Sequence, residues 1–137
     1  MTDQEYKAKV SAIVQKTYDH HGLNGQPWGW DEDAGRCTYQ GGCAIGVSLP
    51  QDLAKALDDY PNGGWSIDAA LIRKAEVRET LFGSPDPVPD WVVDALNKVQ
   101  FFHDKRAESS KPDSELRAEY RESLEGLAKS YGLTLTT

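Results

Sequence analysis

The stretch WVVDALNKVQFFHDKRA, residues 91–107, carries its large apolar side chains at the spacing of an α-helix. These side chains form one stripe: Val92, Leu96, Val99 and Phe102. Asp90 stands directly before them, and aspartate is one of the residue types that cap the first turn of a helix. The pattern predicts an amphipathic helix with one buried face, which we expect to lie at the centre of the fold.

The same periodicity occurs in four other parts of the sequence. Apolar residues recur at helical spacing in residues 3–21, 50–60, 66–82 and 114–131. Thr2 and Glu5 form a capping-box pattern at the start of the first of these segments, and Gly132 follows the last one as a typical C-cap. From the apolar pattern we expect the following core residues: Ile13, Val14, Ile45, Leu96, Val99, Leu124 and Leu127.

A short β-element is expected between the first two helices. Residues 36–39 and 42–45 flank the turn-forming pair Gln40-Gly41, which is typical of a small β-hairpin or of a strand that leads into a helix. An isolated hairpin is only marginally stable in water, so we expect it to pack against helices. The sequence therefore predicts a single globular domain over residues 1–137. Its class is α+β, mainly α, with four to five helices packed around a small β-hairpin.

Charge and composition limit the partners of the chain. It has 15 basic and 22 acidic residues and a net charge of −7. Basic pairs are flanked by acids, as in Arg73-Lys74 before Glu76, whereas nucleic-acid binding relies on clustered Lys and Arg. We therefore expect no direct binding of DNA or RNA. The N-terminus lacks a signal-peptide pattern and no run approaches the roughly 20 apolar residues that span a bilayer, so we expect a cytoplasmic protein without membrane contact.

The glycine-rich loop at residues 22–35 contains two tryptophans beside an acidic triplet. The candidate partner-binding residues are the aromatic and acidic side chains of this loop and of the following turn: Trp28, Trp30, Asp31, Glu32, Asp33 and Tyr39. Tryptophan and tyrosine provide large contact areas at a small entropic cost, and adjacent acids attract a basic partner. The alternative is that both tryptophans fold back onto the hairpin and complete the core of a small domain.

The cysteines and histidines offer a weaker candidate for a metal site. Cys37 and Cys43 are spaced more widely than in typical zinc sites, so we expect two reduced, buried thiols and no metal or other cofactor. Alternative metal ligands are Cys37, Cys43, His103 and Asp104. His20-His21 and His103-Asp104 also resemble ligand sets of metal-dependent phosphohydrolases. Histidines at the end of a helix are, however, explained by the helix dipole without any ligand role.

Residues 36–50, RCTYQGGCAIGVSLP, resemble the core of a family of small uncharacterised proteins from tailed phages and prophages. In that family a cysteine and a tyrosine precede a glycine turn, followed by Cys-Ala-Ile/Val-Gly, an aliphatic pair and a proline. The resemblance extends to residues 96–100, to His103-Asp104 and to residues 131–133. The chain departs from the family at Val47, where many relatives carry another cysteine, and in an additional Gly-Trp segment upstream. The resemblance implies a viral accessory gene and gives no residue a role.

Catalytic motifs are missing from the sequence, which contains neither a nucleophile elbow nor a glycine-rich phosphate loop. Accessory phage proteins of this size frequently bind and disable a host or defence component. We therefore expect a phage-encoded accessory protein that acts by non-enzymatic binding to a host or defence protein. Two alternatives stay open: a metal-dependent phosphohydrolase that uses His103 and Asp104, and a protein that sequesters a nucleotide signal in a pocket.

Overall fold

The computed structural model describes residues 1–59 and 64–137. This part of the chain contains six α-helices: α1 (Asp3–Thr17), α2 (Gln51–Asp58), α3 (Ile67–Arg73), α4 (Ala75–Phe82), α5 (Asp90–Ala107) and α6 (Asp113–Tyr131). Two short antiparallel strands form a hairpin: β1 (Trp30–Asp31) and β2 (Arg36–Cys37). The predicted class, α+β and mainly α, is confirmed, with one helix more than the four to five expected. None of these helices is long and apolar enough to cross a membrane.

Helix α5 lies at the centre of the fold, as its apolar stripe predicted. It packs against α1, α3, α6 and β2. All seven residues predicted to be in the core are buried: Ile13, Val14, Ile45, Leu96, Val99, Leu124 and Leu127. Apolar side chains from all six helices join one core cluster. The helical periodicity of the sequence therefore identified the buried faces correctly.

The hairpin is not where the sequence predicted it. Its strands are β1 and β2, and the predicted second strand, residues 42–45, instead forms turns that lead into a 3-10 turn at Gly46–Ser48. Asp58 at the end of α2 explains the difference. Its carboxylate accepts hydrogen bonds from the backbone amides of Tyr39 and Gln40 at 3.0 and 2.9 Å. These amides are therefore not available to a neighbouring strand.

The segment 66–82, predicted as one helix, forms the two helices α3 and α4. The backbone breaks at Lys74, whose φ and ψ of −111° and 100° are extended rather than helical. Arg78 stabilises the break, because its guanidinium donates hydrogen bonds to the carbonyl oxygens of Leu71 and Ile72 at 2.9 and 3.0 Å. Carbonyls at the end of α3 are thus paired although the helix does not continue.

Helix α1 also ends differently from the prediction. It gives way to a π-helical segment, Tyr18–Leu23, and π-helical turns are often found at functional sites. Within this segment the side chain of His21 points into the protein and is 0% exposed. The interpretation of His20-His21 as helix-end histidines stabilised by the helix dipole is therefore wrong for His21, which is buried. Tyr60, expected on the apolar face of α2, lies outside the described residues.

Candidate functional site

Beneath the glycine-rich loop, four residues from distant parts of the chain form a buried series of hydrogen bonds. Thr17 Oγ1 lies 2.7 Å from the hydroxyl of Tyr120 and 2.8 Å from Nδ1 of His21. Nε2 of His21 lies 2.7 Å from the carbonyl oxygen of Gly42. The side chains of Thr17, His21 and Tyr120 are all fully buried. We call these four residues the buried network.

The carbonyl of Gly42 fixes the direction of every hydrogen bond in the buried network. A carbonyl oxygen only accepts, so His21 Nε2 carries the ring proton and donates it. His21 Nδ1 then accepts from the Thr17 hydroxyl, which in turn accepts from the Tyr120 hydroxyl. Burial, reinforced by nearby His103, lowers the pKa of His21 to about 3, because a charged imidazolium would lose its hydration. The network is therefore neutral at physiological pH.

Trp28 packs directly on the buried network. Its ring is stacked on the ring of His21, with centroids 5.7 Å apart and planes inclined by 1°. The guanidinium of Arg117 lies 3.9 Å from the centre of the same indole. Arg117 also donates hydrogen bonds to the carbonyl oxygens of His21 and Gln26 at 3.0 and 2.7 Å. Residues 26–28 are therefore fixed against α6. Trp28 packs on the core, as in the alternative in which both tryptophans fold back.

The tip of the hairpin is acidic and exposed, and the side chain of Asp31 holds its turn. Asp31 Oδ1 accepts hydrogen bonds from the amides of Asp33 and Ala34 at 2.9 and 3.1 Å, which closes the turn. Glu32 and Asp33 are exposed, and their side chains form no hydrogen bond or ion pair with the described residues. Trp30 beside them is half-buried. The tip thus combines a defined turn with two unengaged carboxylates.

Beside this tip, residues 27–32 and the turn that contains Thr38 and Gly41 line an open depression of about 680 Å³. Gly29, with a φ of 83°, approaches Gly41 so closely that a Cβ at position 29 would lie 2.9 Å from the Gly41 carbonyl oxygen. The amide of Thr38 donates to the carbonyl of Gly29 at 3.0 Å. We call this feature, formed by residues 27–32, 38 and 41, the loop depression. Its lining includes four of the predicted partner-binding residues: Trp28, Trp30, Asp31 and Glu32.

Tyr39 does not belong to this surface. Its side chain is only 5% exposed, and its hydroxyl donates a hydrogen bond to the carbonyl oxygen of Trp65 at 2.7 Å. Burial raises the pKa of the Tyr39 phenol well above its usual value, so the hydroxyl keeps its proton. The placement of Tyr39 among the partner-binding residues is therefore corrected: it is a core residue.

A second group of candidate site residues lies where β2 meets α5. Cys37, His103 and Asp104 each contribute one potential ligand atom, and these three atoms lie within 4.8 Å of one another. His103 Nδ1 is 2.9 Å from Asp104 Oδ1, and Gln100 Nε2 donates to the same oxygen at 2.8 Å. Burial raises the pKa of the Cys37 thiol, and the nearby Asp104 carboxylate raises it further. The fold thus brings together three of the four candidate metal ligands, which we call the Cys-His-Asp cluster.

Cys43, the fourth candidate ligand, lies in the same cleft but outside the cluster. Its Sγ is 3.6 Å from Oε1 of Gln100, and the residue is 2% exposed. The cleft has a volume of about 380 Å³, and Cys37, Cys43 and Asp104 are among its lining residues. Burial raises the pKa of Cys43 to about 12 and also raises the pKa of Cys37. Both cysteines are therefore free, protonated thiols at neutral pH.

Two observations bear on the alternative functions, a metal-dependent phosphohydrolase and a protein that sequesters a nucleotide signal. His21 lies beside His103, with ring centroids 4.8 Å apart, but both ring nitrogens of His21 are engaged in the buried network. His21 is therefore not available to complete a hydrolase ligand set with His103 and Asp104. Among the described residues that line the cleft, the one cation is Arg36, which is already paired with Asp58 at 3.5 Å. The cleft thus offers little attraction for the phosphates of a nucleotide.

Sequence reasoning did not assign Thr17, Arg117 or Tyr120 to a site. Tyr120 lies within the helical pattern of residues 114–131 and is buried, but the hydrogen bond of its hydroxyl depends on Thr17, far away in the chain. Arg117 offered a usable signal. It precedes Leu124 by seven positions and therefore falls on the apolar face, where a charged side chain needs hydrogen-bond partners.

The comparisons with known proteins identify no relative of the chain. No protein-family model, no curated protein and no solved structure matches it.

Proposed function

We propose that the chain is a phage-encoded accessory protein that binds a cytoplasmic host or defence protein through the loop depression and the acidic hairpin tip, without catalysing a reaction. The phage setting is supported by the resemblance of residues 36–50. Binding at this place is supported by one observation above all: the glycine-rich loop that carries the exposed acids is anchored to α6 by Arg117, which donates to the carbonyl oxygens of His21 and Gln26 and packs on Trp28.

Preorganisation lowers the entropic cost of forming a complex. The indole of Trp28 is held by His21 and Arg117, and Gly29 is in backbone contact with the loop that contains Gly41. Each rotamer-rich side chain that becomes ordered on binding costs about 0.5–1.5 kcal/mol. Because this loop is already ordered, more of the contact energy is available for affinity.

The charges of the surface define the chemistry of the partner. Asp31, Glu32 and Asp33 are exposed at the hairpin tip, and the whole chain carries a net charge of −7. Such a surface accelerates encounter with a basic protein, whereas the half-buried ring of Trp30 supplies apolar contact once the two proteins meet. We therefore expect a partner with a basic surface, a property common among proteins that handle nucleic acids.

The test removes the charges of the tip and keeps its turn. Asp31→Asn, Glu32→Gln and Asp33→Asn together delete three charges, and asparagine at position 31 retains the oxygen that accepts from the two amides of the turn. A matched control deletes three exposed charges elsewhere, on α4 and α6. The control substitutions are Glu76→Gln, Glu79→Gln and Glu122→Gln.

The wild-type protein and both triple variants are used to capture proteins from a bacterial lysate, with quantification by mass spectrometry. The partner should be retained by the wild type and the control and lost from the tip variant. With the purified partner, the tip variant should associate about tenfold more slowly at low salt, whereas Trp30→Ala should mainly accelerate dissociation. If the tip variant retains the partner as well as the control does, the binding surface lies elsewhere.

A further inference from the structure

We propose that Cys37, His103 and Asp104 form a binding site for a divalent transition-metal ion such as Zn²⁺, at the junction of β2 and α5. The three side chains offer three different donors, namely a thiolate sulfur, an imidazole nitrogen and a carboxylate oxygen. This mixture suits a borderline ion such as Zn²⁺ or Co²⁺. Mg²⁺ and Ca²⁺ prefer ligand sets made of oxygen atoms.

The distances require only small shifts to hold such an ion: the His103 and Asp104 atoms must separate by about 0.4 Å, and the Cys37 thiol must move closer to them. His103 Nδ1 and Asp104 Oδ1 are 2.9 Å apart, and two such atoms on a tetrahedral Zn²⁺ lie about 3.3 Å apart. The cluster as a whole fits within 4.8 Å, and a sulfur and a nitrogen on Zn²⁺ lie about 3.6 Å apart, so a movement of about 1 Å at the Cys37 thiol suffices. Cys37 and Asp104 line the open cleft, which gives the ion access and leaves room for water as a fourth ligand.

Without an ion, two side chains contact Oδ1 of Asp104. They are His103, through Nδ1 at 2.9 Å, and Gln100, through its side-chain amide at 2.8 Å. A cation can take the place of the proton between His103 and Asp104, while Gln100 continues to orient the carboxylate from outside the ligand set. Hydrogen bonds of this outer kind commonly tune the affinity of a metal site.

The protons balance in the following way when Zn²⁺ binds. The thiol proton of Cys37 leaves to the solvent, so one proton is released for each ion bound. The ring proton of His103 moves from Nδ1 to Nε2. Nε2 is buried and has no hydrogen-bond partner among the described residues, so this relocation breaks no existing hydrogen bond at that atom.

The ion would join the hairpin to the central helix. Cys37 pairs with Trp30 in the hairpin, whereas His103 and Asp104 belong to α5. Binding of the ion should therefore stiffen the strand that carries Trp30. The metal site does not depend on the partner-binding function, because it can fill whether or not a partner is present.

Titration of the tag-free, metal-free protein with Co²⁺ tests the site, and Zn²⁺ is then added in competition. We expect one ion per chain, a thiolate-to-cobalt absorption band and release of about one proton per ion. Cys37→Ser should abolish the band, and both Cys37→Ser and Asp104→Asn should weaken Zn²⁺ binding about a hundredfold or more. Cys43→Ala is the matched control, because it removes the other cysteine of the cleft. This variant should keep both the cobalt band and the Zn²⁺ affinity.

Circular dichroism and denaturant unfolding of the metal-free variants show first that each one is folded. Serine at position 37 is close in size to cysteine, and asparagine at position 104 keeps an oxygen that can accept from Gln100. No cobalt band in the wild type, or unchanged Zn²⁺ affinity in Cys37→Ser, would overturn the site. Loss of the band in Cys43→Ala with retention in Cys37→Ser would overturn it as well, since the sulfur ligand would then be the other cysteine.

Discussion

Replacement of Thr17 by valine should destabilise the protein more than replacement of Tyr120 by phenylalanine, although both changes delete the same hydrogen bond. The reason is the direction of the buried network. The Thr17 hydroxyl donates to His21 and accepts from Tyr120, so valine leaves two buried polar atoms without a partner. Phenylalanine removes the Tyr120 hydroxyl together with its proton, and Thr17 still donates to His21.

The magnitudes follow from the number of polar atoms left unpaired. Each buried donor or acceptor without a partner costs about 1–3 kcal/mol, so Thr17→Val should lower the free energy of unfolding by about 2–6 kcal/mol. Tyr120→Phe removes one ordinary hydrogen bond and should cost about 0.5–1.5 kcal/mol. Both side chains are 0% exposed, so water does not replace the lost partners. In the double variant the unpaired hydroxyl of Tyr120 is absent and Tyr120→Phe removes no further hydrogen bond, so the combined loss should fall short of the sum of the single losses by about 1.5–4.5 kcal/mol.

Urea unfolding followed by far-UV circular dichroism measures these free energies. A constant m-value among the variants would show that they expose the same surface on unfolding and can be compared. Thr17→Ser keeps the hydroxyl and serves as the matched control, for which we expect a smaller loss than for Thr17→Val. Equal losses in Thr17→Val and Tyr120→Phe, or additive effects in the double variant, would refute the direction assigned to the network.

Three further predictions concern the core, the pH dependence and the thiols. Leu124→Ala should cost about 2–5 kcal/mol in urea unfolding, because Leu124 is fully buried, and a loss under 1 kcal/mol would contradict its place in the core. The pKa of His21 is about 3 in the folded protein, so the unfolded chain binds a proton that the folded chain does not. Stability should therefore fall by about 2 kcal/mol between pH 7.5 and pH 5, and equal unfolding midpoints at the two pH values would contradict this. Burial raises the pKa of Cys37 and Cys43. In the metal-free protein both thiols should therefore react with a thiol reagent in denaturant but only slowly in the folded protein at about pH 8. Rapid alkylation of the folded protein would show that burial does not protect them.

The parts of the fold that could be predicted from the sequence are those that depend on local periodicity. The stripe of α5 predicted its central position, and the capping box of Thr2 and Glu5 forms as expected, with hydrogen bonds of 3.0 and 3.2 Å. The hairpin could not be placed in this way, because the amides of Tyr39 and Gln40 are taken by Asp58 of another helix. Nothing in the local pattern of residues 36–45 indicates that contact.

The break between α3 and α4 was equally hidden from local reasoning. Lys74 is a good helix former, and the break depends on Arg78 reaching back to the carbonyls of Leu71 and Ile72. In the candidate site, the exposed acids of the tip could be predicted, since charged triplets rarely enter a core. The separate environments of Trp28 and Trp30 could not, because Trp28 is held by side chains of α6, about ninety positions further along the chain.

The buried network also bears on the order in which the protein assembles. Thr17 and Tyr120 are separated by 103 positions, so their contact closes most of the chain, and contacts of such long range tend to form late in folding. During synthesis the ribosome releases the loop sequence well before α6, which supplies Arg117 and Tyr120. A nascent chain that ends before α6 therefore contains the residues of the loop depression without Arg117, which holds Trp28 and the carbonyl oxygen of Gln26 in place. We expect Trp28 to reach its final position only after α6 has been synthesised and packed.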